Sequence, residues 1–84
     1  MSATTIQTIS ELSDFLSSNP SPEQIAAYKA SKRSQNRIRH LLMRNQSGLL
    51  TEKEQIELNE IEELEHSMTL LKIQAFEDMA RRRV

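Results

Sequence analysis

Ser47-Gly48-Leu49-Leu50-Thr51-Glu52-Lys53-Glu54 is the stretch that decides the fold. Gly48, the one glycine of the chain, reads as a left-handed helix stop, and Leu49 is the apolar residue that commonly follows such a stop. Thr51 and Glu54 then have the spacing of a capping box, which starts a new helix. A basic segment ends at this point and an acidic one begins. Two helices joined by so short a turn must fold back on each other, so the spacing predicts an antiparallel helical hairpin.

Working outward, the acidic side is one long helix, from Glu52 to about Arg82. Ile61, Leu64, Met68, Leu71, Ala75 and Met79 recur at three- and four-residue intervals and form one continuous face. Leu70, Ile73, Phe76 and Ala80 lie on the opposite side, in the C-terminal half alone. On the basic side, Ser21, Pro22 and Gln24 make a strong helix start. That helix either runs unbroken to about Gln46 or restarts near Ser31. An apolar stripe of Ala27, Ile38, Leu41 and Leu42 fits both versions, interrupted by Ser31 and Ser34. Further upstream, Thr8 and Glu11 have capping-box spacing, and Ile9, Leu12, Phe15 and Leu16 follow at helical intervals. A short N-terminal helix over about 9–17 is expected, with residues 1–8 as a flexible tail and 9–84 as a single helical domain.

Length turns this pattern into an expectation about partners. At 1.5 Å per residue the last helix is roughly 45 Å long, while segment 31–46 spans about 24 Å. Folded back from Gly48, the shorter helix covers only the first half of the longer one. The second half, apolar on two sides, needs two other surfaces. The N-terminal helix supplies one; a second copy of the chain or a foreign protein supplies the other. Leu70, Ile73, Phe76 and Ala80 are therefore the candidate partner-binding residues, and a homodimer is the simplest assembly.

Size and composition agree. A chain of 84 residues buries only about 60% of its unfolded surface, so its core needs a supplement. With no cysteine, disulfides and thiolate metal sites are excluded, and oligomerisation or a tightly bound partner is left. The formal charge of −1 gives no global field towards nucleic acid or an anionic membrane. No apolar run approaches the roughly 20 residues of a membrane span, and no signal peptide opens the chain, so a cytoplasmic location is expected. One glycine, two prolines and many strong helix formers point to an all-α class.

Three further features compete for a function. Lys29, Lys32, Arg33, Arg37, Arg39 and Arg44 form a basic run with no acidic residue between Glu23 and Glu52. They either face the acidic run of Glu52, Glu54, Glu57, Glu60, Glu62, Glu63 and Glu65 across the hairpin, or offer Lys29, Lys32, Arg33, Arg37 and Arg39 to a nucleic-acid backbone. The run carries no aromatic for stacking on bases except Tyr28 at its edge. Glu63 and His66 have the Glu-x-x-His spacing of carboxylate metal sites, yet the facing segment 31–46 supplies no carboxylate, so no metal or other cofactor is expected. Arg81, Arg82 and Arg83 suit the negative end of the last helix dipole. No serine sits in a nucleophile elbow and no glycine loop can cradle phosphate, so no enzymatic activity is expected.

From Pro20 to about Ala75 the chain resembles a set of short, largely cyanobacterial proteins. The shared pattern is carried by Pro22-Glu23-Gln24, the Arg39–Arg44 segment, Gly48-Leu49-Leu50-Thr51-Glu52-Lys53-Glu54, and Leu64-Glu65-His66 with Leu70-Leu71-Lys72 and Ala75. The resemblance implies a small helical protein, antitoxin-like in size and style, and no catalytic residue. The reading that results is a non-enzymatic protein–protein interaction module, antitoxin-like or inhibitory, with nucleic-acid binding through segment 29–44 as the alternative.

Overall fold

At the turn, Leu49 N–H donates to the Arg44 carbonyl at 2.9 Å and Gly48 N–H to Asn45 at 3.1 Å, closing the helix-stop motif. Gly48 holds φ at +69°, a region that costs side-chain-bearing residues. The capping box follows: Glu54 N–H donates to Thr51 Oγ1 at 3.1 Å, and Thr51 N–H to Glu54 Oε1 at 3.0 Å. The computed structural model describes residues 1–82, with four helices and no strand among them. They are α1 (Ala3–Ser17), α2 (Pro22–Ala27), α3 (Lys32–Gln46) and α4 (Glu52–Arg82). The protein is all-α, built on the antiparallel α3–α4 hairpin, and α4 sets its 50 Å length.

The helix that opens at Pro22 is broken. Tyr28 turns extended at φ −62°, ψ 137°, and Ser31 caps a fresh start by accepting from Ser34 N–H at 3.2 Å. Gln35 Nε2 also donates to the Ala30 carbonyl, tying the break to α3. Two short helices can follow α4 where one straight helix would diverge. Ala27 consequently turns outward and drops from the expected stripe, as does Leu42. Both segments run antiparallel to α4: Glu23 reaches Arg82, Arg37 reaches Glu57 and Arg44 reaches Glu54.

The N-terminal expectation is corrected. Residues 1–8 are not a tail, because α1 begins at Ala3 with Ser2 as its cap, and Thr8 lies inside the helix. Ser2 Oγ accepts from Thr5 N–H at 3.0 Å. Thr5 is only 1% exposed, and its hydroxyl donates to Glu60 on α4 at 3.3 Å. Thr8 shares a 3.1 Å hydroxyl contact with the buried Ser34 of α3. Tertiary hydrogen bonds thus override the weak helix propensity of the threonines. At its other end, α1 stacks Phe15 on Tyr28 with ring centroids 4.5 Å apart.

Leu41, Leu58 and Ile61 form the core, with Ile38 and Leu50 against them. Ala75 is buried further along α4, where α2 packs. Small side chains there allow close helix approach. Every buried side-chain nitrogen and oxygen among the described residues has a hydrogen-bond partner.

Candidate interaction surface

The two faces of α4 differ completely in burial. Ile61, Leu64, Met68, Leu71, Ala75 and Met79 are all buried or half-buried, as their spacing predicts. Leu70, Ile73 and Phe76 are 54%, 50% and 58% exposed, and Ala80 beside them is also exposed. Spacings of three, three and four residues place these four on one stripe, held on a continuous helix. Ile6, Leu42, Met43, Leu49 and Ile56 are exposed as well. Met43 and Leu49 flank the turn and stay open to solvent.

The basic run is divided by the hairpin. Arg37 grips the nearly buried Glu57 with two bonds, Nε to Oε2 at 2.9 Å and Nη2 to Oε1 at 3.0 Å. Those bonds hold the Arg37 guanidinium above its ordinary pKa. Arg44 donates to Glu54 at 3.1 Å and to the Leu49 carbonyl at 2.8 Å. The Thr51 backbone N–H, with Arg44 beside it, lowers the Glu54 carboxyl. Arg37 and Arg44 therefore read the acidic run, as the hairpin expectation requires. Lys29, Lys32, Arg33 and Arg39 remain exposed. Of the five residues proposed for nucleic acid, Arg37 is the one committed to the fold.

Glu63 and His66 are exposed on α4 beside Glu62, and no group of three or more potential metal ligands is assembled among the described residues. Arg81 pairs with Asp78 and Arg82 with Glu23, while Arg83 lies outside the described residues. The bond from Glu23 anchors α2 to the end of α4, and the backbone N–H at the α2 start lowers its carboxyl.

Sequence reasoning missed an open cavity of about 480 Å³ between α1, the α2–α3 break and α4. Ile61, Leu64 and Met68 floor it, and Leu12, Tyr28 and Lys72 border it. Burial, aided by Glu11, raises the Tyr28 hydroxyl above its ordinary pKa. No local signal marks this space, because it exists only where the helix breaks.

Among the described residues, no helix is long and apolar enough to cross a membrane. Comparison with known proteins finds no matching family model, no similar curated protein and no similar solved structure.

Proposed function

We propose that this chain is a non-enzymatic protein–protein interaction module whose contact surface is the outer C-terminal stripe of α4. The observation that carries the reading is the half-exposure of Leu70, Ile73 and Phe76 together on one rigid helix. Large apolar side chains exposed together as a patch mark an interaction site. Within this class, the resemblance to small antitoxin-like chains favours an inhibitory subunit. The nucleic-acid alternative is weaker, because it asks Arg37 to leave a nearly buried carboxylate.

A photo-crosslinking residue at position 76 tests the proposal in native cells. Protein-sized adducts are expected from position 76, lost when Leu70 and Ile73 become Asp, and absent from the exposed Gln55. Absence of adducts from both 73 and 76 overturns it.

A further inference from the structure

We infer that the occupant of the stripe is the same stripe on a second copy of this chain, running antiparallel and crossing near Ile73; this rests on the interaction-module reading. The argument begins with charge. α4 is acidic at its start, where Glu62, Glu63 and Glu65 make no ion pair among the described residues, and ends on Arg81 and Arg82, whose pairs with Asp78 and Glu23 are solvent-exposed and so exchange for a partner's carboxylate at little cost. A parallel pair would set acid on acid and base on base. An antiparallel pair sets each basic end on the partner's unpaired acids, so the charge pattern selects orientation.

Helix phase makes the match specific. Glu63 and Arg81 are 18 positions apart, which at 3.6 residues per turn is five whole turns. They therefore lie on one line along α4, at the edge of the stripe that Leu70 occupies. In a two-fold antiparallel pair, like edges meet. Glu63 then faces the partner's Arg81, and the contact occurs twice. The midpoint of Glu63 and Arg81 falls at position 72, within one residue of Ile73, the midpoint of Leu70 and Phe76. Apolar and charged patterns thus share one centre. Ile73 meets its own copy there, His66 lies across from the partner's Ala80, and Leu70 and Phe76 close the two edges of the contact at equal heights on either side of Ile73. Such an isologous contact closes on itself and leaves none of the stripe uncovered.

The native chain has no cysteine, so disulfide trapping reads the geometry cleanly. Purified full-length His66→Cys and Ala80→Cys, mixed and mildly oxidised, should give a mixed disulfide dimer well in excess of either self-linked dimer. In the antiparallel pair the two copies of residue 80 stand about 20 Å apart. Light scattering should report a dimer for the native chain. Glu63→Arg and Arg81→Glu should each weaken it roughly fivefold, and the two changes in one chain should restore it, because two exposed pairs act together. Efficient self-linkage of Ala80→Cys would overturn the antiparallel crossing. A monomeric purified chain whose position 76 still captures another protein in cells would overturn the second copy and leave the interaction module standing. A monomer with no adduct in cells would overturn both.

Discussion

The two halves of α4 solve the same problem by different means. From Glu52 to about Glu65, α3 covers the helix, Leu41 seals against Leu58 and Ile61, and Arg37 and Arg44 fix the register through Glu57 and Glu54. From about Leu70 onward, α2 covers one side over Ala75, held at its far end by Glu23 and Arg82, and the other side keeps three large apolar residues in solvent. One half completes itself with polar contacts that specify orientation. The other retains apolar surface that none of the described residues covers.

The largest expected difference between the halves is in stability. Leu41→Ala should lower the free energy of urea unfolding by about 3 kcal/mol. Ile73→Ala should change it by about 0.5 kcal/mol or less in a chain dilute enough to be monomeric. Equal losses at the two sites would erase the distinction. A smaller effect sharpens the account of register. Arg37→Ala should cost about 2 kcal/mol, because it strands a carboxylate that is only 6% exposed, with some relief from the solvent reaching Arg37. Arg37→Met combined with Glu57→Leu should recover most of that loss, and a full loss in the double variant would show that the pair acts through more than its mutual charge. A smaller loss than at Arg37 is expected at the turn, where Gly48→Ala should cost about 1 kcal/mol from its positive φ. An added Cβ meets nothing within 4 Å, so no steric cost adds to the backbone term.

The same turn should respond to pH. Glu54 has a folded carboxyl pKa depressed below its ordinary 4.5. Its contribution is therefore present above that value and is lost as pH falls through the lowered one. Unfolding midpoints measured down to pH 3 should decline less steeply in Glu54→Gln, which has no carboxyl to titrate, than in the native chain.

Much of this architecture was legible because its determinants are local. Gly48, Thr51 and Glu54 act within a few residues, and the two faces of α4 follow from helical period alone. The start of α1 was not legible, since Thr4, Thr5 and Ile6 favour extended backbone and become helical through Glu60, which is distant in sequence. The break at Tyr28–Ser31 left a cap signal at Ser31, but nothing local distinguishes that cap from a serine inside a longer helix. The opposed charge runs were plain; that Arg37 takes Glu57 depends on helix phase across a turn.

The seam that holds α1 has a consequence for the order of events in folding. Thr5 and Glu60 are separated by 55 residues, whereas Arg44 and Glu54 are separated by 10. Closing the shorter loop costs less chain entropy, so the hairpin is the earlier structure and its polar groups set the surface on which α1 later lands. Hydroxyl contacts between Thr5, Thr8, Ser34 and Glu60 add direction to that landing and little adhesion. The first of the four helices in sequence is thus the last to find its place.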